Sequence, residues 1–239
     1  GAAKLAARAA LRVGAGLVTV AAPPEALPAL SGTLQAVMTR PVQGAPGFTA
    51  MLADRRLNAV LLGPGNGVSP LTRQRVLAAL ATQRAMVLDA DALNILADTA
   101  DFANWPRRPD EAPAILTPHP REMARLTGLT TAEVQHDRLG IARGYATRHG
   151  VFVVLKGAAS IVACPDGTAY VNTTGNPGMA TGGSGDVLTG IIGSLLAQGW
   201  SGEQAAAFGT WKHGLAGDKA AQKRGNMASV VASDLIGQL

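Results

Sequence analysis

The sequence predicts an α/β fold, a mostly parallel central sheet with helices on both faces. Short apolar runs at 59–62, 86–88, 114–116 and 151–155 lack the alternation of a half-exposed strand, so they read as strands buried on both sides. Segments of helical periodicity fall between them, the alternation that parallel crossover units produce. The 239 residues are 47% hydrophobic and 15% charged, which fits one domain with a sizeable core.

The elements follow in order. Lys4, Arg8 and Arg12 recur at i, i+4 and i+8, one solvated stripe of a helix at about 2–12 whose other face is apolar. Such an acid-free start mimics a transit peptide, yet it runs into GAGLVTVAAP, a turn and a strand at 17–21, and so reads as structure. An α/β unit that opens inside a helix leads us to expect a further strand upstream. A short strand is expected at 36–38 and another at 59–62. Ser69 and Pro70 supply a cap and a first-turn proline for a helix to about 82. Strand 86–88, a short helix at 92–97, a Pro- and Asp-rich surface loop at 101–113 and strand 114–116 come next. One helix spans 120–126, and Thr130 or Thr131 with Glu133 caps a second that runs to about 149. Segments 151–155, 160–163 and 168–171 are β, the last two a hairpin about Pro165, Asp166 and Gly167. The helix entered at Asp186, a long helix over 201–223 and a short one near Ser233 complete the chain.

Composition limits the partners. The net charge of +5 is scattered and aromatic residues make up only 4%, so nothing resembles the basic, aromatic-interleaved stripe of a nucleic-acid binder. The uncharged run 187–202 is too short and glycine-rich to cross a membrane. A single cysteine, Cys164, excludes an internal disulfide and a cysteine zinc site, and it reads as a small buried residue. These features suit a reducing, cytoplasmic setting.

The most informative stretch is NTTGNPGMATGGSGDVLTG at 172–190. Val187, Leu188, Ile191, Ile192, Leu195 and Leu196 line one helical face, and Gly190, Gly193, Ser194 and Ala197 allow close packing. Gly182, Gly183, Ser184 and Gly185 then lie at a helix N-terminus, where unpaired N–H groups and the helix dipole favour an anion. A carboxylate there, Asp186, suits a base that takes a proton from a hydroxyl attacking a phosphoryl group. The plainer alternative is a glycine turn with Asp186 as a favourable first-turn acid. No Walker A pattern occurs.

Further candidates fall at predicted strand ends, where ligands bind in such sheets. GPGNG at 63–67 permits positive φ and close backbone approach. In DADALN, Asp89 either holds a hydrated Mg²⁺ or accepts backbone N–H groups, and Asp91 reads as a helix cap. Prolines flank and stiffen His119 in TPHPREM, and Glu122 supports the helix that follows. Lys156 in KGAAS reaches a phosphate or ribose with Ser160 as hydroxyl partner, or is simply a surface lysine. His149, Trp211 and His213 read as packing or surface residues.

Together GAGLVTVAAP, GPGNG, LDADALN, TPHPREM, VLKGAAS, NPGMATGGSGDVLTG and the closing ASDLI resemble the NAD(P)H-hydrate dehydratase family, nearly the whole chain in the same order. The resemblance implies a ribokinase-like three-layer fold, often the C-terminal half of a bifunctional repair enzyme. It implies ADP- or ATP-dependent dehydration of the S form of hydrated NADH or NADPH, with Mg²⁺. Lys156, Gly157, Ala158, Ala159 and Ser160 match one nucleotide-binding segment. Asn176, Pro177, Gly178, Met179, Ala180 and Thr181, continuing through Gly182, Gly183, Ser184 and Gly185, match the other. Ala2, Gly65, His119 and Asp186 match positions contacting the hydrated cofactor, Asp186 as the catalytic base; no residue is assigned as a metal ligand. A homo-oligomer, often a tetramer, and an epimerase domain or partner are likewise implied. Arg121, Asn66 and Ser160 depart from the glycine, leucine and threonine usual in the family. The alternatives are a ribokinase-like kinase of a small alcohol such as a hydroxyethylthiazole, and a nucleotide-binding regulator without turnover.

Overall fold

The structure, a computed structural model, describes residues 1–99, 108 and 111–239. Helix α1 (Ala2–Val13) precedes β1 (Thr19–Ala22), α2 (Leu27–Ser31), β2 (Met38–Pro41) and α3 (Gly44–Leu52). Then β3 (Ala59–Leu62), α4 (Pro70–Leu80), β4 (Ala85–Leu88), α5 (Asp91–Ala97) and β5 (Ala114–Leu116) alternate as expected. Helices α6 (Pro120–Thr127), α7 (Thr131–His136) and α8 (Arg138–His149) lead to β6 (Phe152–Leu155), β7 (Ile161–Ala163) and β8 (Ala169–Val171). The chain closes with α9 (Ser184–Ala197), α10 (Gly202–Arg224) and α11 (Ala232–Ile236).

Strands β3 to β8 form one six-stranded sheet in sequence order, parallel from β3 to β6 and antiparallel across β7 and β8. Strands β1 and β2 pair in parallel as a separate ribbon. Alternate residues of each central strand enter opposite cores. Met86, Leu88, Leu116, Val153 and Leu155 pack towards α3–α8, whereas Ala85, Val87, Ile115 and Val154 pack towards α9, α10 and α11. Burial on both faces explains why these strands read as unbroken apolar runs. A cavity of about 630 Å³ lies between β1 and β3, floored by α1 and α9.

Helix α9 is central to the second core, with Val187, Ile191 and Ile192 fully buried. Gly190 is required there: a Cβ would lie 2.2 Å from the Ala6 carbonyl oxygen, so α1 crosses α9 at backbone contact. Cys164 is buried as expected, and burial pushes its thiol up to about 12.

Several expectations shift. The strand expected at 36–38 begins at Met38, because Ala36 adopts a left-handed φ of 60°. Strand β1 starts at Thr19, leaving Leu17 exposed. The single helix expected to about 149 breaks at Asp137, whose Oδ1 accepts from Gly140 N at 2.8 Å and starts α8 afresh. Helices α2 and α3 were not anticipated. The loop expected at 101–113 lies largely outside the described residues.

Candidate active site

Because β3–β6 are parallel, the segments after each strand meet at one edge of the sheet, and the start of α9 faces them. Gly183 precedes α9 with φ +90°, and a Cβ on it would lie 2.5 Å from Leu5. Only glycine tolerates both conditions. Ser184 N donates to Thr181 O at 3.3 Å and Val187 N to Gly183 O at 3.2 Å. Among the described residues the amides of Gly182, Gly183, Gly185 and Asp186 have no protein acceptor. Free donors at the positive end of a fourteen-residue helix form an anion cradle.

Asp186 stands beside this cradle, and among the described residues nothing hydrogen-bonds its carboxylate. Burial raises its pKa above the ordinary carboxylate value and the neighbouring Asp89 raises it further; Lys156 opposes the shift. A carboxylate with raised proton affinity and open oxygens has the properties of a general base.

Asp89, at the carboxyl end of β4, is only 2% exposed. Its Oδ1 accepts from Lys156 Nζ at 2.7 Å and its Oδ2 from Thr189 Oγ1 at 3.0 Å. Lys156 Nζ also lies 3.8 Å from Glu122 Oε2. A Cβ on Gly185 would be 3.4 Å from Lys156 Nζ, which places the ammonium directly against the cradle. Lys156 is therefore a largely buried cation at the anion site, not a surface lysine. Both oxygens of Asp89 are engaged, by an ammonium and a hydroxyl and not by backbone N–H groups. Among the described residues no three His, Cys, Asp or Glu side chains cluster as a metal cage. Magnesium carried by a nucleotide needs none, since phosphate oxygens and waters supply most of its ligands.

Asp91 does not cap α5. Ala90 occupies the cap position with φ 49°, and Asp91 Oδ2 accepts from Gly67 N at 2.7 Å, tying the loop after β3 to α5. In that loop a Cβ on Gly63 would lie 1.6 Å from the Asp89 carbonyl oxygen, so backbone passes against backbone. Gly65, φ +72°, approaches Ala2: its Cβ would lie 3.5 Å from that of Ala2. Two of the residues matched to cofactor contacts thus sit side by side, at the start of α1.

His119 caps α6. Its Nδ1 accepts from the amides of Arg121 and Glu122, both at 3.1 Å, and Glu122 Oε2 accepts from His119 N at 2.7 Å. The neutral ring therefore carries its proton on Nε2, on a half-exposed edge 3.5 Å from Glu122 Oε1. It offers a ligand an N–H donor. Glu122 supports the helix as expected and also bridges His119 to Lys156.

Gly157, Ala158, Ala159 and Ser160 form the exposed turn between β6 and β7. Arg138 secures it by donating to the carbonyls of Ala158 and Leu155, and Ser160 Oγ donates to Gly157 O at 3.0 Å. Ser160 thus braces the turn and does not pair with Lys156 here. The loop through Asn176, Pro177, Gly178 and Met179 lies on α10. Thr174 Oγ1 donates to Trp211 O at 2.9 Å, Met179 packs on Gly217, and Asp218 accepts from Gly175 N and Asn176 Nδ2.

One side chain of α10, Asp218, escaped the sequence reading. His213, read there as a packing or surface residue, packs with its Nε2 2.9 Å from Ser184 O and 3.2 Å from Ser184 Oγ, directly behind the cradle. Burial lowers its pKa to about 4, so the ring is neutral and donates from Nε2. The available signal was Gly214 and Gly217, costly inside a long helix unless another chain segment touches it.

A family model described as NAD(P)H-hydrate dehydratase matches residues 1–238. The chain is 46% identical, over 99% of its length, to 45% of a bifunctional NAD(P)H-hydrate repair enzyme of Moorella thermoacetica. It is 46% identical, over 77% of its length, to 62% of an ADP-dependent (S)-NAD(P)H-hydrate dehydratase of Neisseria meningitidis. The chain thus spans about half the length of the bifunctional relatives. A crystal structure of the ADP/ATP-dependent NAD(P)H-hydrate dehydratase of Bacillus subtilis, co-crystallized with ATP and Mg²⁺, superposes with a TM-score of 0.85 at 30% identity, covering 100% of this chain and 82% of that one. A hydroxyethylthiazole kinase from Pyrococcus horikoshii shares the fold at 15% identity with a TM-score of 0.67, covering 98% and 92%.

Proposed function

This chain belongs to the NAD(P)H-hydrate dehydratase family, and from that membership we propose that it dehydrates the S form of hydrated NADH or NADPH at the expense of ADP or ATP with Mg²⁺. One observation carries the assignment: Asp186, a carboxylate with no hydrogen-bond partner among the described residues, stands beside amides likewise without an acceptor there and a lysine. Such a site accepts a phosphoryl group and deprotonates an alcohol in the same place.

Asp186 takes the proton of the C6 hydroxyl, whose oxygen attacks the terminal phosphorus of the nucleotide. The amides of Gly182, Gly183, Gly185 and Asp186 and the Lys156 ammonium stabilise charge on the transferring group. The C6–O bond then breaks with phosphate as leaving group, driven by the ring nitrogen lone pair, and loss of a C5 proton restores the dihydropyridine. The products are reduced cofactor, inorganic phosphate, and AMP from ADP or ADP from ATP. Making a hydroxyl into phosphate explains why a dehydration consumes a nucleotide.

In this reading Ala2, Gly65 and the Nε2–H of His119 hold the nicotinamide moiety. The segments Lys156, Gly157, Ala158, Ala159 and Ser160, and Asn176 through Gly185, hold the nucleotide. Residues 1–239 act as one dehydratase domain, cytoplasmic and homo-oligomeric, alongside an epimerase activity in the same or a separate polypeptide. No helix among the described residues is long and apolar enough to cross a membrane.

The test is incubation with hydrated NADH or NADPH plus ADP or ATP and Mg²⁺. Recovery of reduced-nicotinamide absorbance with one phosphate released per turnover is expected. Accumulation of a stable phosphorylated alcohol, or nucleotide binding without any turnover, overturns the proposal.

A further inference from the structure

Helix α10 meets the nucleotide segment through a carboxylate that no ligand is proposed to touch. Asp218 Oδ2 accepts from Gly175 N at 2.9 Å, and its Oδ1 accepts from Asn176 Nδ2 at 3.0 Å. Asn176 Oδ1 in turn accepts from Gly178 N at 3.0 Å and caps the 3₁₀ turn Pro177–Met179. Both functional ends of the Asn176 amide are therefore consumed inside the protein. Its orientation is fixed, because the NH₂ group must face the carboxylate and the oxygen must face the turn.

This connection bears on the site because of where it falls. The backbone from Asn172 to Gly183 contains one 3₁₀ turn and no strand or longer helix to hold it. Gly175 has φ +101°, and a Cβ on Gly178 would lie 2.2 Å from Met227 O, so the path depends on close contacts. Gly214 and Gly217 let the segment lie on α10: Cβ atoms there would come within 2.2 Å of Thr174 Oγ1 and 2.1 Å of Met179 Sδ. Asp218, one residue beyond Gly217, gives this apolar seat a directional, charge-assisted fastening.

We propose that Asp218 is a positioning residue that sets nucleotide affinity by holding the Gly175–Asn176 backbone in its binding conformation. The proposal rests on the nucleotide reading of this segment. It assigns Asp218 no contact with the nicotinamide substrate and no part in proton transfer.

The hydrogen-bond pattern supplies its own control. Asp218→Asn removes the acceptor for Asn176 Nδ2 and sets two amide NH₂ groups against each other. Adding Asn176→Asp restores the complement in reverse. Asn at 218 then donates to the carboxylate at 176 and accepts from Gly175 N, while the other oxygen at 176 accepts from Gly178 N. Net charge is unchanged.

ADP affinity is measured by titration calorimetry, with kcat and both KM values from reduced-cofactor recovery. Asp218→Asn weakens ADP binding about tenfold, the range for loss of a charge-assisted hydrogen bond. The KM for the hydrated cofactor and the acidic limb of the kcat profile stay unchanged, and the swapped double variant regains affinity to within about threefold. An Asp218→Asn protein that binds ADP as the parent does overturns the proposal. So does a folded swap that remains as weak as the single variant, and the swap alone decides if Asp218→Asn does not fold. Failure of the parent to bind ADP or ATP sinks the functional reading instead, which keeps the two outcomes apart.

Discussion

Replacing Asp186 by Asn separates activity from stability. The carboxylate is partly desolvated at the head of α9, and Asp89 nearby raises its proton affinity while Lys156 only partly offsets this. Its folded-state pKa therefore lies above the unfolded value near 3.8. A group with a raised carboxyl pKa binds more protons in the folded state, so it destabilises the fold at neutral pH and ceases to do so when protonated. Asp186→Asn is nearly isosteric and relieves that strain. Functional-site replacements of this kind gain about 0.5–2 kcal/mol; the lower half of that range applies, because solvent still reaches the side chain and screens its charge. For a chain of this size that is a rise of about 1–4 °C in the unfolding midpoint. Turnover falls in the same variant by about 10²–10⁴, the usual contribution of a general base. Thermal unfolding at pH 7.5 and pH 4, with turnover at pH 7.5, reads both effects. The stability gain is present at pH 7.5, shrinks as pH falls through the raised Asp186 pKa and is absent below the ordinary carboxylate value. A destabilised Asn variant would show that favourable partners hold the carboxylate, and one with near-parental turnover would remove it from the chemistry.

Lys156→Met leaves Asp89, 2% exposed, without its 2.7 Å partner. Urea unfolding registers a loss of about 2–4 kcal/mol, below the extreme for buried pairs because the lysine keeps some solvent contact, and Asp89→Asn added to it recovers part of that loss. Gly63→Ala places a methyl 1.6 Å from the Asp89 carbonyl oxygen at a φ of +121°; the backbone conformation alone costs about 1–3 kcal/mol, and turnover falls with stability because the loop carrying Gly65 shifts. His213 titrates near 4 when folded, against 6.5 when unfolded, owing first to burial. The unfolded chain binds the extra proton between those values, so the parent loses stability as pH falls from about 6.5 towards 4. His213→Gln removes about 2–3 kcal/mol of that acid-induced loss, seen as a shallower fall in urea midpoint between pH 7 and pH 4.5.

What the sequence made legible was the part of the site whose cause is local. Strands β3 and β5 fall at the expected residues because apolar runs end abruptly at Gly63 and Thr117, and burial on both faces removed any competing period. Helix α3 was missed because Gly44, Pro46 and Gly47 signal a turn, whereas Phe48, Met51 and Leu52, all buried, make it a helix by tertiary packing. The cradle was legible for a similar local reason: four small residues before an apolar helix have few other structural uses. The electrostatic setting of the base was not. Asp89 and Lys156 are 67 positions apart, and Asn176 and Asp218 are 42 apart. Asp89, Lys156 and Asn176 were legible as candidates one at a time and Asp218 not at all, but neither pairing was, and only the parallel order of β3–β6 brings the first pair to one edge. A motif can therefore say where a candidate base stands; its proton affinity is raised first by burial and then by Asp89, which the sheet delivers from elsewhere in the chain. It follows that Asp89 is the more informative second target after Asp186. Asp89→Asn leaves the motif intact but alters both the field in which it operates and the bonds to Lys156 and Thr189, so stability is read beside turnover.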